Sequence, residues 1–291
     1  MAVVAHRTSD NAIGVRRLGF GVSGPHGTPL VHPSLTADLI YRAVDRGVRL
    51  FDTGPSYGAG EAERRLGEAM RRLPRHDCII STKVGISSGG LARRIRDFSP
   101  EGVRKSVEGS LKRLGMKRIE WLLLHGPGPA DITDELLKTL TDMKRRGDIA
   151  VLGVCGRGPE LEAALATGQF GVFMAPVHAA LKPYDLARLA RIKASGAEIV
   201  AIEALTPALP RFPAPVTPGA TWRLARALAG RIGGHAPTPM TPEECLLWAL
   251  GEGGAHRVVV TTTRPEHFDA NVYAVTTPST GRLIGGPSSL S

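Results

Sequence analysis

The chain has 291 residues, 42% of them hydrophobic and 22% charged, with 37 Lys and Arg against 27 Asp and Glu for a formal charge of +10. That composition excludes wholesale disorder, and the length suits a single α/β barrel of about 250 residues. The basic excess is scattered arginine on helical stretches (Arg64, Arg65, Arg71, Arg72 and Arg93, Arg94, Arg96), without aromatic-interleaved strands or a recognition helix. It reads as solvated surface, so no nucleic acid partner is expected.

Three cysteines, Cys78, Cys155 and Cys245, lie far apart in apolar runs. Their odd number and spacing argue against a disulfide framework, and no metal-ligand spacing is present. The opening MAVVAHRTSDN is too short and polar for a secretory signal. No apolar run approaches the ~20 residues that cross a bilayer. The expectation is a soluble, cytoplasmic protein with no membrane partner.

From Val15 onward, short apolar runs alternate with amphipathic stretches. RRLGFGVSG reads as a first strand ending in glycines, followed by a loop holding His26. Ser34 or Thr36 is expected to cap the next helix, which stops at Gly47. The second strand covers residues 50–53 and leads through DTGPSYGAG into EAERRLGEAM. The third, CIISTKVG, ends at Lys83 before a Ser/Gly loop through Gly90. Ser99 and Pro100 open a helix that Gly115 stops.

RIEWLLLHGP is the fourth strand, ending at His125, and a helix over residues 133–146 leads to the fifth, IAVLGVCG. After a short helix from Pro159 come the sixth strand, VFMAPVH, a helix over 184–195 and the seventh strand, EIVAIEAL. The proline-rich run 206–218 is too proline-dense for a regular element. Helices over 221–231 and 242–250, the strand RVVVTTT, the helix PEHFDANVYAV and a Gly/Pro/Ser tail complete the chain.

Eight apolar strands separated by helices predict a closed, parallel (β/α)8 TIM barrel over residues 15–278, with a lead-in at 1–14 and a flexible tail at 279–291. A doubly wound open sheet is the runner-up. Its GxGxxG fingerprint is missing after the first strand.

Three polar residues, Asp52, Lys83 and His125, stand where successive strands end, and Tyr57 follows in the loop after the second. Singly, each has a dull explanation as a turn or solvated strand-end residue. In a barrel all four meet at the C-terminal mouth, where active sites are built. The set suits proton transfer to or from an oxygen. A tyrosine near pKa 10 donates poorly unless a neighbouring ammonium stabilises its phenolate, and Lys83 supplies one. Asp52 would pair with Lys83, and His125 would orient a substrate carbonyl.

On FDTGPSYGAGEAERRLGEAM, STKVG, LLLHGP and RLGFGVSG, the sequence resembles the aldo-keto reductase family over about residues 18–275. The resemblance implies a barrel in which Tyr57 is the general acid, with Asp52, Lys83 and His125 as its partners. It also implies a nicotinamide dinucleotide that supplies hydride to a carbonyl.

The cofactor side departs from the family pattern. Where relatives read GVSN, this chain reads GVCG, placing Cys155 and Gly156 at the Ser and Asn positions. Met174 stands for the usual glutamine, and Ile202 with Glu203 beside it for the usual stacking tyrosine. Beyond the eighth strand come Thr261, Thr262 and Arg264, with Ala270–Asn271 in place of Glu-Asn. By the resemblance, the cofactor contacts would be Gly21, Cys155, Met174, Thr262, Arg264 and Asn271. Each lost hydrogen bond is worth about 1 kcal/mol, and the lost stacking about 0.5–1.5 kcal/mol.

Two enzymatic readings follow. One is a carbonyl reductase using NADP(H) or NAD(H). The other is a cofactor-independent dehydratase, lyase or isomerase that kept the tetrad, with Cys155, His178 and Glu203 as added acid–base groups. A non-catalytic binding protein is a distant third. The expected partner is a small molecule with a carbonyl or hydroxyl, and the expected state a monomer or weak oligomer. His26, Trp121 and the proline-rich run are candidates to line the mouth, although Trp121 lies earlier on its strand than His125 and suits core packing at least as well.

Overall fold

Val-, Ile- and Leu-rich runs of three to seven residues, each followed by a longer stretch, form the strands of a computed structural model describing residues 14–73, 77–89, 94–209, 217–228 and 240–277. In order these are β1 (Leu18–Gly21), α1 (Pro33–Asp45), β2 (Leu50–Asp52), α2 (Glu61–Met70) and β3 (Ile79–Val84). A hairpin of β4 (Ile86–Ser88) and β5 (Arg94–Arg96) precedes α3 (Pro100–Leu114), β6 (Ile119–His125), α4 (Asp134–Arg146) and β7 (Ile149–Cys155). Then come α5 (Pro159–Thr167), β8 (Val172–Pro176), α6 (Pro183–Ala194), β9 (Glu198–Ile202), α7 (Pro218–Leu228), α8 (Pro242–Leu250), β10 (Arg257–Val260) and α9 (Pro265–Thr276).

Eight parallel strands close in the order β1-β10-β9-β8-β7-β6-β3-β2. This is the expected (β/α)8 barrel. Alternation along each strand divides the core in two. Outward residues such as Phe51, Ile80, Leu122, Leu124, Phe173 and Ile199 pack beneath the helices. Inward residues, Leu50, Trp121, Leu123, Cys155, Val172, Met174 and Val200, fill the barrel itself. Each fully buried aliphatic or aromatic side chain contributes about 1.5–3 kcal/mol.

Most helix boundaries follow local chemistry. Ser99 accepts a hydrogen bond from the Gly102 N–H at 3.1 Å, and Gly115 ends α3 at φ 64°. Thr241 and Glu244 form a reciprocal capping box on α8 at 3.2 and 2.7 Å. At α1 the expected cap is corrected. His32 holds that position, its Nδ1 accepting from the Ser34 N–H, while Thr36 is buried inside the first turn.

Two other expectations change. The stretch after β3 was expected to be a Ser/Gly loop, but it folds back as the antiparallel β4–β5 hairpin. The helix expected over 221–231 begins earlier, at Pro218, where proline suits the first turn. The lead-in 1–13, the tail 278–291 and residues 210–216 of the proline-rich run lie outside the described residues; Thr206–Ala208 of that run forms a 3-10 turn. Among the described residues, no helix is long and apolar enough to cross a membrane.

Two buried polar contacts tie helices and loops to the strands beneath the mouth. Glu63 of α2, fully buried, accepts from Thr82 Oγ1 and from Arg113 Nε, both at 2.6 Å, so α2 and α3 are pinned to β3 one residue from Lys83. His26 is also fully buried, which removes it from the mouth lining. Its Nε2 donates to the Thr262 carbonyl at 2.9 Å and its Nδ1 meets Thr36 Oγ1 at 3.0 Å, joining the loops after β1 and β10 to α1.

Burial lowers the His26 pKa from the usual 6.5 to about 4, against the Thr262 hydrogen bond and with Arg65 nearby. Proton uptake therefore favours the unfolded chain. Stability should be level above about pH 6.5, fall as the pH drops to about 4 and level off below, a loss of about 3 kcal/mol at 1.36 kcal/mol per unit. Urea denaturation across this range checks it. His26→Asn should flatten the His26 part of the curve.

Candidate active site

β2 ends in an acid and β3 carries a lysine on its inward face, and their register brings the two together. Asp52 pairs with Ser81 across the ladder, and Lys83 lies two residues further along the same face. Lys83 Nζ donates to Asp52 Oδ2 at 2.5 Å and to the Thr53 carbonyl at 2.9 Å. Ser81 Oγ donates to the other carboxylate oxygen at 3.0 Å. Both charged side chains are essentially fully buried. A buried ion pair survives only when its remaining donors and acceptors are satisfied. Here Ser81 and the Thr53 carbonyl do that.

Tyr57 reaches the pair from the turn after β2. Its N–H donates to the Gly54 carbonyl at 3.1 Å, and its carbonyl accepts from Ala62 N–H at 3.3 Å in the first turn of α2. Gly58 follows at φ 61°, and a Cβ there would lie 1.7 Å from the Gly27 carbonyl oxygen. Glycine is thus required twice over, by the dihedral and by the close approach of the β1 loop. The phenol ring lies 5.0 Å from Lys83 Nζ and edge-on to His125, with ring centroids 6.1 Å apart. All four expected residues therefore meet at one end of the barrel.

Burial raises the Tyr57 pKa above the usual 10.0, while the Lys83 charge and a hydrogen bond from it pull the other way. Burial opposes the charged form of Lys83, yet the Asp52 carboxylate holds its pKa above the ordinary value. The site thus keeps a neutral phenol beside a fixed ammonium. Such a pair supports proton transfer from an acid whose conjugate base is neutralised as it forms.

The other side of the mouth is apolar. Cys155, which pairs with both His125 and Met174, is buried, and burial raises its thiol to about 11 despite the nearby Lys83 charge. Met174 is fully enclosed, and Ile202 packs against the same interior cluster. Gly21 ends β1 in register with Asp52, and a Cβ on it would lie 2.3 Å from Thr261 Oγ1. Trp121 faces inward but four residues before His125, about 13 Å toward the opposite end, with the Arg257 guanidinium 5.6 Å from its ring. It is core, not mouth lining.

Beyond β10, Thr262 Oγ1 accepts from the Arg264 N–H at 3.1 Å. Arg264 Nε donates to Glu266 Oε1 at 2.6 Å. The Glu266 pKa is held low, first by its own backbone N–H and then by Arg264. A carboxylate thus already sits against Arg264 and the N-terminus of α9. Asn271 is buried two turns further along that helix. Sequence reasoning missed an ion pair between Arg157, just past β7, and Glu203, just past β9. Its signal was a cation two residues after Cys155 and an acid one residue after Ile202. Among the described residues, no group of three or more His, Cys, Asp or Glu is placed to hold a metal ion.

Removing one member of the Asp52–Lys83 pair strands the other in the core. Asp52→Leu should cost about 3–5 kcal/mol in urea denaturation. The double change Asp52→Leu/Lys83→Met should recover most of that loss.

The sequence model of the Aldo/keto reductase family matches residues 17–203. The NADH-specific methylglyoxal reductase of Escherichia coli is 31% identical over 157 residues, 48% of this chain and 48% of that protein. L-galactose dehydrogenase of Arabidopsis thaliana is 35% identical over 150 residues, 49% of this chain and 45% of that protein. The chain therefore spans about half the length of the curated relatives it matches. The holo form of the aldo-keto reductase AKR11C1 from Bacillus halodurans superposes with a TM-score of 0.72 at 22% identity, covering 90% of this chain and 87% of that one. A barrel shared over nine-tenths of the chain and a family match over well more than half of it agree: the chain belongs to the aldo/keto reductase family.

Proposed function

We propose that the chain is an oxidoreductase that reduces a carbonyl compound, with Tyr57 protonating the carbonyl oxygen. The observation that carries this is the Tyr57 phenol held beside the buried Lys83–Asp52 pair. His125, edge-on to the phenol, orients the carbonyl so that its oxygen faces Tyr57. As the proton leaves Tyr57, the Lys83 ammonium neutralises the phenolate, and Asp52 keeps that ammonium charged and in place. Cys155 and Met174 keep water from the far side of the oxygen.

The loop beyond β10 suits the anionic end of a nicotinamide dinucleotide, while at the ring end the family's hydrogen-bonding and stacking residues are replaced by Cys155, Gly156, Met174 and Ile202. Arg264 and the N-terminus of α9 offer the chemistry a phosphate needs, and the Glu266 carboxylate that now rests on them would have to swing aside for the anionic end. Thr262 and Arg264 would hold that end, with Asn271 further along α9. Gly21, Cys155 and Met174 would border the ring end, where Ile202 offers an apolar platform in place of an aromatic one. When bound, the dinucleotide supplies hydride to the carbonyl carbon. Two relatives, one named an NADH-specific reductase and one a dehydrogenase, support this direction.

A second reading is favoured by the apolar lining at the ring end, where Cys155, Met174 and Ile202 stand in place of hydrogen-bonding and stacking residues. In it the tetrad only moves protons, as a dehydratase, lyase or isomerase does, and no nicotinamide is used.

The deciding experiment is NADPH and NADH oxidation with a panel of aldehydes and ketones. The reduction reading expects nicotinamide-dependent turnover that falls about 10²–10⁴-fold in Tyr57→Phe. Turnover without any nicotinamide would instead establish the second. Because the acid form of Tyr57 is needed and its pKa lies above 10.0, kcat/KM for reduction should stay level through neutrality and decline only above about pH 10.

A further inference from the structure

Arg157 and Glu203 face each other from loops that follow non-adjacent strands. β8 lies between β7 and β9, so the two loops begin about 10 Å apart. Their ion pair joins the loop after β7 to the loop after β9, past the end of β8. Arg157 stands two residues beyond Cys155, and Cys155 is the ladder partner of His125. Two residues of chain reach at most about 7 Å, so Arg157 stands in the loop directly beyond the strand end that pairs with His125. Burial opposes the charged form of Arg157, the Glu203 carboxylate outweighs it and raises the pKa, and Cys155 and Tyr57, both uncharged around neutral pH, would add to this only when ionised.

Glu203 holds its place at some cost. Its φ is 58°, the left-handed region that favours glycine, and the Thr206 N–H bonds its carbonyl at 2.9 Å to close the turn. A two-fifths exposed carboxylate on a three-fifths exposed arginine is a weak ion pair, for which an incoming anion can compete. Among the described residues, Lys83 is held by Asp52 and Arg96 by Asp131 and the Gly126 carbonyl, while Arg264 lies beyond β10 beside Glu266.

We propose that Arg157 recognises a carboxylate carried next to the reacting carbonyl, and that Glu203 occupies the same fork until that carboxylate arrives. The substrate class is then 2-oxo acids and close relatives. This rests on carbonyl reduction at Tyr57, and it names the group that selects the substrate. A phosphate of the dinucleotide presents the same anionic oxygens, so the test separates the two sources.

The full-length protein would be titrated calorimetrically with phenylglyoxylate and with its methyl ester, which removes only the charge, each with and without NADPH. The expected result is tighter binding of phenylglyoxylate by about tenfold or more, the usual range for a charged, bidentate contact. Arg157→Leu should abolish that preference while binding the ester within about threefold of wild type. Arg157→Lys, which keeps the charge and loses the fork, should be intermediate and serves if the Leu variant does not fold. Glu203→Gln should tighten phenylglyoxylate binding several-fold and leave the ester unchanged.

Equal binding of acid and ester by the wild type would overturn the proposal, as would a preference that survives Arg157→Leu. So would weakened NADPH binding in Arg157→Leu with the acid preference intact, which would assign Arg157 to the cofactor. Binding is read apart from turnover. A calorimetric preference without nicotinamide-dependent reduction would sink the reductase reading and leave the anion site standing. Reduction of the ester alone would do the reverse.

Discussion

The buried ion pair between Lys83 and Asp52 is the interaction on which the mouth of this barrel depends. Two opposite charges without water are tolerable only at close range and with every other polar atom engaged. The pair therefore demands a fixed register between β2 and β3, and Ser81 on the partner strand completes it. Glu63 repeats the arrangement on the outer face of β3, where Thr82 and Arg113 hold it. One strand thus carries two polar anchors on opposite faces. A shift of one residue would exchange Thr82 and Lys83 between helix layer and barrel interior.

The same register sets the position of Tyr57. Its loop is closed by contacts to Gly54 and to the first turn of α2, and the Gly27–Gly58 approach seats it against the loop after β1. That loop is in turn fixed from inside by His26, which reaches both α1 and the segment after β10. The phenol is thus seated by contacts to Gly54, to α2 and to the loop after β1, which fix its place beside Lys83.

The mouth divides into two chemically unlike halves. Strands β2, β3 and β6 contribute charged and hydrogen-bonding groups, Asp52, Lys83 and His125. Strands β7, β8 and β9 contribute a buried thiol, a thioether and an aliphatic side chain. Among the described residues, polarity returns on that side in the loops, at the buried His178 after β8 and as the pairs Arg157–Glu203 and, beyond β10, Arg264–Glu266. Recognition of an anionic ligand on that side would fall to these loop arginines, while the strands below exclude water.

The sequence by itself determined the barrel and the tetrad. Alternating apolar runs and capped helices are local signals, and polar residues at three strand ends are visible without any pairing. The β4–β5 hairpin was not visible, because its short arms lack the apolar alternation that marks a strand. Nor was the inward burial of His26, whose two partners lie 10 and 236 residues away. Trp121 and His125 share a strand face, and only closure of the barrel decided that one is core and the other mouth. Arg157 and Glu203 are 46 residues apart and flank a strand that contributes to neither loop. Their meeting follows from the curvature of a closed sheet, a property of the assembled strands that no single segment carries.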